Sequence, residues 1–151
     1  MIEKIIPRLA AGGLSVSLIK QARDDFDVDQ PGKDSHRHRR AGAREVLVTS
    51  TRRWVLMHEL LETDEPPLEE QLERLSPCDV VIVEGAWDAR IPKIEVWRPA
   101  TGKPPRHSLD PTVVALATDV PIKADLPVLD LNDAEAVTKF IRSRLGLQAE
   151  L

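Results

Sequence analysis

Two stretches of the chain, Asp79-Val-Val-Ile-Val-Glu84 and Val113-Val-Ala-Leu-Ala-Thr118, are apolar at consecutive positions rather than at alternate ones. A strand with one wet face alternates, whereas a strand that is apolar throughout has to be covered on both faces, as the inner strands of parallel sheets are. Parallel strands need long crossovers, and helical periodicity lies between the strand candidates. Ile2, Ile5, Ile6 and Leu9 fall on one helical face, and Gly12-Gly13 ends that segment. Leu14 to Lys20 reads as a strand, with Ile19 suggesting burial on both sides. Ser35 to Ala43 reads as a short helix capped by Ser35. Glu45 to Ser50 and Arg53 to Met57 read as strands of a hairpin closed by Thr51-Arg52. Pro67 to Leu75 suits a helix with proline in its first turn. Ile91 to Arg98 and Pro127 to Asp130 read as further strands. Asp133 to Leu145 reads as a helix started by Asn132 or Asp133, with Ala136, Val137, Phe140, Ile141 and Leu145 as its apolar stripe. The pattern predicts an α/β fold, a mostly parallel sheet with helices on both faces, in one domain over residues 1–151.

Composition narrows the setting. With 151 residues and 42% apolar content the chain can bury one core, and no apolar run is long enough to span a membrane. Glu3 and Pro7 interrupt any signal-peptide core, so a cytoplasmic location is expected. Cys78, the single cysteine, excludes an intramolecular disulfide and reads as a buried structural thiol. A net charge of −4 gives no general drive toward nucleic acid. Charge is uneven, however. Lys33 to Arg44 holds five Lys or Arg against one acid, while Glu59 to Glu73 holds seven acids and no base.

Ligands of open α/β sheets bind beyond the carboxyl ends of the strands, here residues 20–34, 84–90 and 118–122. Asp24-Asp25-Phe26-Asp27-Val28-Asp29 is dense in acid. As a calcium loop starting at Asp25 it fails, because Gln30 stands where glycine is needed and His36 where a bidentate acid is needed. Two readings stay open, a loop that holds magnesium or orients a water and a solvated acidic loop. His36 and His38 project about 200° apart on a helix and do not converge on one ion. Arg37, Arg40 and Arg44 have the spacing of one helical face, which suits an anion or a partner, or a solvated face. Glu84-Gly85 places a carboxylate and a glycine where a buried strand ends, as phosphoryl-transfer proteins do to hold magnesium and approach phosphate. Trp54, Trp87 and Trp97 read as core or interface anchors rather than base-stacking platforms.

The segment Asp25-Phe-Asp-Val-Asp-Gln-Pro-Gly-Lys-Asp-Ser-His-Arg-His-Arg-Arg-Ala-Gly-Ala43 closely resembles the one that follows the second strand in MobB-type proteins, adaptors of molybdopterin guanine dinucleotide biosynthesis. The resemblance continues through Arg52-Arg-Trp-Val-Leu-Met57, Leu75-Ser-Pro-Cys-Asp79, Val83-Glu-Gly85, Ile91-Pro-Lys-Ile-Glu95, Ala115-Leu-Ala-Thr-Asp119 and Val128-Leu-Asp-Leu-Asn-Asp133. It implies a P-loop NTPase fold of the dimeric kind, and an accessory protein that binds GTP with Mg2+, hydrolyses it weakly and assists a MobA-type guanylyltransferase and molybdopterin-carrying proteins. A nucleotide-free adaptor and dimerisation module of the same pathway is the alternative. By position, Glu84 and Gly85 match the acid and glycine after the Walker B strand, and Asp25 and Glu84 are the implied magnesium and catalytic candidates. Thr118 and Asp119 match the segment near the guanine base. The partner-facing reading of Arg37, Arg40 and Arg44 rests on their spacing and not on the resemblance.

Departures accompany the match. Family members open with a strand and a glycine-rich loop ending Gly-Lys-Thr-Thr, whereas Met1 to Pro7 resembles the helix after that loop. The resemblance therefore implies a start downstream of the Walker A lysine, through a true truncation or an internal start codon, and a chain that does not hydrolyse GTP alone. Gln21-Ala-Arg-Asp24 stands where a histidine-rich stretch is usual, and Ala86-Trp87 replaces the usual Phe and Lys.

Overall fold

The structure, a computed structural model, describes residues 1–22, 26–61 and 64–147. In chain order its elements are α1 (Ile2–Ala11), β1 (Val16–Lys20), α2 (Asp34–Arg40), β2 (Glu45–Thr49), β3 (Trp54–His58), α3 (Leu68–Glu73), β4 (Val80–Glu84), β5 (Lys93–Trp97), β6 (Val113–Thr118), β7 (Val128–Asp130) and α4 (Ala134–Arg144), with a 3-10 turn at Pro99–Thr101. They form two compact units, Met1–Lys20 with Ser76–Leu151, and Gln21–Leu75.

In the first unit β1 and β4 pair in parallel, and β5, β6 and β7 form a parallel sheet in that order. Ile5 and Leu9 of α1 and Val137 of α4 meet Val80 in a buried cluster, against which Val16, Ile82, Ile94 and Leu129 pack. Side chains alternate along a strand, so Val80, Ile82 and Glu84 leave the same face of β4, and Ile94 and Val96 the same face of β5. The opposite face of β5 carries Glu95, which is buried and accepts the backbone N–H groups of Arg106 (2.7 Å) and His107 (2.8 Å). That carboxylate fastens the 99–112 connection to the sheet. β6 is the most buried strand, with Ala115, Leu116 and Ala117 inaccessible to solvent, as its unbroken apolar run predicts.

The second unit holds α2, α3 and the antiparallel hairpin β2–β3, closed by a turn in which Ser50 Oγ accepts the N–H groups of Arg52 and Arg53.

Some local expectations change. Leu18 on β1 is 40% exposed, so the strand is not covered on both faces by the described residues. Helix α2 stops at Arg40 rather than Ala43, because Gly42 turns the backbone to φ +104°. Lys33, not Ser35, is its amino-terminal cap position, and the Ser35 hydroxyl donates instead to Asp29 (2.8 Å). The Cys78 thiol is half-buried and donates to the Val80 carbonyl. Trp54 is 67% exposed on the hairpin, so it is not a core residue among those described.

Candidate functional site at the strand ends

β1 and β4 are both five residues long, both end on a charge, and run in register from Val16 opposite Val80 to Lys20 opposite Glu84. The last rung therefore sets an ammonium against a carboxylate, with Lys20 Nζ 2.9 Å from Glu84 Oε2. Immediately beyond, Gly85 and Ala86 adopt φ +92° and +42°, a sharp left-handed reversal. For Ala86 that conformation costs about 1 kcal/mol relative to glycine.

A second charge pair stands at the ends of β5 and β6. Trp97 and Thr118 are the last rung of that ladder, and the chain stays extended through Arg98. One residue on, Arg98 Nε lies 3.6 Å from Asp119 Oδ2. Thr118 is buried, and its hydroxyl accepts the Val120 N–H (3.5 Å), which orients the turn carrying Asp119. Among the described residues nothing donates a hydrogen bond to the Asp119 carboxylate. It can therefore accept from a ligand with two adjacent N–H groups.

The remaining candidates fall elsewhere. Asp25 lies outside the described residues. Its neighbours Asp27 and Asp29 surround a residue that the sequence did not single out, Arg39, whose side chain is only 15% exposed. Its guanidinium donates to both oxygens of Asp27 (2.8 and 2.7 Å) and to Glu59 (2.8 Å), and its Nε lies 3.7 Å from Asp29. These bonds raise its pKa and hold the Asp27 carboxyl below its ordinary value. Arg37 and Arg40 are exposed on α2, Arg37 lying 3.8 Å from Asp34. Arg44 is exposed but stands beyond the Gly42 turn, so the three arginines do not share a helical face. Trp87, in the loop after Glu84, carries the Arg106 guanidinium 4.3 Å above its ring.

Sequence reasoning missed Lys20, Arg98 and Arg39 as site residues. A signal existed for Lys20, since it and Glu84 each place a charge at the end of a strand candidate. No local signal distinguishes Arg98 or Arg39 from other surface arginines.

Among the described residues no group of three or more His, Cys, Asp or Glu converges, and Glu84 faces the Lys20 ammonium at 2.9 Å. Mg2+ beside a nucleotide is held by one or two carboxylates together with phosphates and water, so Glu84 would have to leave Lys20 to serve as one of them.

A family model described as MobB, molybdopterin guanine dinucleotide synthesis protein B, matches residues 1–119. A molybdopterin-guanine dinucleotide biosynthesis adapter protein of Escherichia coli (strain K12) is 40% identical over 144 residues, covering 93% of this chain and 82% of the relative. One of the same name from Haemophilus influenzae is 36% identical over 149 residues, covering 96% and 81%. A crystal structure of molybdopterin-guanine biosynthesis protein B superposes with a TM-score of 0.74 over 95% of this chain and 89% of that one, at 24% identity, which shows a shared fold.

Proposed function

The chain belongs to the MobB family, and we propose that it acts in molybdopterin guanine dinucleotide synthesis as an accessory adaptor that binds GTP by its guanine base. The observation that carries this reading is Asp119, a carboxylate at the carboxyl end of the most buried strand with no hydrogen-bond donor among the described residues. Guanine offers the complement, N1–H and the exocyclic amine side by side, and adenine does not.

The partners in this reading are a second copy of the chain, a MobA-type guanylyltransferase and molybdopterin-carrying proteins, met in the cytoplasm. Among the described residues no helix is long and apolar enough to cross a membrane. Support for self-association comes from the β2–β3 hairpin, where Leu47, Val48, Trp54, Val55 and Leu56 are all exposed. Arg37, Arg40 and Arg44 add exposed positive charge to the same unit.

The Lys20–Glu84 pair favours a second reading, a nucleotide-free adaptor of the same pathway. Titration calorimetry with GTP and ATP up to millimolar concentration separates the two. The first reading expects GTP to bind at least about tenfold tighter than ATP, and Asp119→Ala to weaken the preference. Equal binding of both nucleotides would remove Asp119 as a reader of the base, and absent binding of both would leave the adaptor without a nucleotide.

A further inference from the structure

Of the two charged pairs at strand ends in the first unit, the one at the ends of β5 and β6 is the less committed. Glu84 is held by the Lys20 ammonium, both oxygens of Glu95 accept backbone N–H groups, and Asp110 accepts from Thr112 and faces Lys93. Arg98 and Asp119 touch at 3.6 Å, longer than a hydrogen bond, and neither side chain makes a hydrogen bond among the described residues. Their side chains are 52% and 29% exposed. A guanidinium with its donors open thus stands beside a carboxylate with its acceptors open, at the edge of a parallel sheet where ligands bind.

Read across the pair, the protein offers two acceptors and then two donors. Guanine, read from its exocyclic amine through N1–H and O6 to N7, offers two donors and then two acceptors. We propose that Arg98 is a second reader of the guanine base, donating to O6 and N7 while Asp119 accepts from N1–H and the amine. The proposal rests on Asp119 as the base site and adds what that residue alone cannot supply. A lone carboxylate tests the amine edge and is blind to N7. The pair tests both edges, and each partner holds the other in the plane of the base. Adenine, with a donor between its N1 and N7 acceptors, presents the wrong order to both. The long contact in the free protein suits this role, since a saturated bidentate ion pair would have to be broken before a base could enter.

Calorimetric titration of the full 151-residue chain with GTP, 7-deaza-GTP, ITP and ATP tests this. 7-Deaza-GTP lacks the N7 acceptor, and ITP lacks the exocyclic amine. The wild type is expected to bind GTP about tenfold tighter than 7-deaza-GTP. Arg98→Ala should bind those two equally while still preferring GTP to ITP, and Asp119→Ala should lose the preference over ITP. Arg98→Lys, a point donor, should keep only part of the N7 discrimination. Two results overturn the assignment of Arg98 and leave Asp119 standing: a wild type indifferent to 7-deaza substitution, or an Arg98→Ala variant that still discriminates against it. A wild type that does not distinguish GTP from ITP and ATP removes the base site itself, and Arg98 with it.

Discussion

Asp79, just before β4, and Ser15, just before β1, bind each other reciprocally. The Ser15 N–H donates to the Asp79 carboxylate at 2.7 Å, and the Asp79 N–H donates to the Ser15 hydroxyl at 3.0 Å. Donation from the Ser15 hydroxyl, and then from its backbone, holds the Asp79 carboxyl below its ordinary value of 3.8. Thr112 and Arg39 do the same for Asp110 and Asp27. A carboxyl depressed in the folded state stabilises the fold above its unfolded pKa and loses that contribution as pH falls through the folded value. Stability should therefore stay level on this account down to about pH 4 and decline below it. Ser15→Ala should move the Asp79 titration, followed by carboxyl carbon-13 NMR, up toward 3.8. An Asp79 already titrating there in the wild type would contradict the geometry. The Arg39 site shows the limit of sequence at this scale. Spacing marked Arg37, Arg40 and Arg44 as a face, but only tertiary contact decides which arginine turns inward, and Asp27 and Glu59 sit 12 and 20 residues from the one that does.

Among elements, those whose signal is local were legible. β4 and β6 announce themselves by unbroken apolar runs, and α4 by its stripe and by Asp133, which accepts the Ala136 N–H at 2.9 Å. Asp133→Ala should lower stability by about 1 kcal/mol in urea unfolding, the usual cost of a lost helix cap. An unchanged midpoint would mean that the cap is made elsewhere. What could not be read is register. Lys20 meets Glu84 because β1 and β4 align rung for rung, and Arg98 meets Asp119 because the β5–β6 ladder closes on Trp97 and Thr118. Those alignments join residues distant in sequence and depend on how α1 and α4 pack over the strands. The strand-end positions of Glu84 and Asp119 were therefore foreseeable, and their pairing with Lys20 and Arg98 was not. Helix α2 erred the other way. Arg44 continues the helical spacing of Arg37 and Arg40, yet a left-handed Gly42 ends the helix between them.

At the scale of the molecule the two units differ in kind. Every buried hydrophobic residue described, from Ile5 and Leu9 through Val80 and β6 to Val137, belongs to the first unit, and no described residue of Gln21–Leu75 reaches that degree of burial. An isolated two-stranded hairpin is marginal in water, and β2–β3 leaves Leu47, Val48, Trp54, Val55 and Leu56 exposed. Arg39 and its carboxylates organise the second unit by polar contacts, which stabilise less than a core of the same size would. Local opening should therefore precede global unfolding, starting in residues 21–75. In native-state hydrogen exchange at low micromolar protein, the amides of β2 and β3 are expected to exchange at least about a hundredfold faster than those of β6. If a second copy covers the hairpin, mass action adds a distinct signature. Protection of β2 and β3 should rise with protein concentration, while that of β6 stays constant. Hairpin amides as protected as those of β6 at every concentration would show that the second unit has its own source of stability. Hairpin amides that stay fast up to high concentration would remove self-association through this surface and leave the exposed apolar strands to a different protein partner.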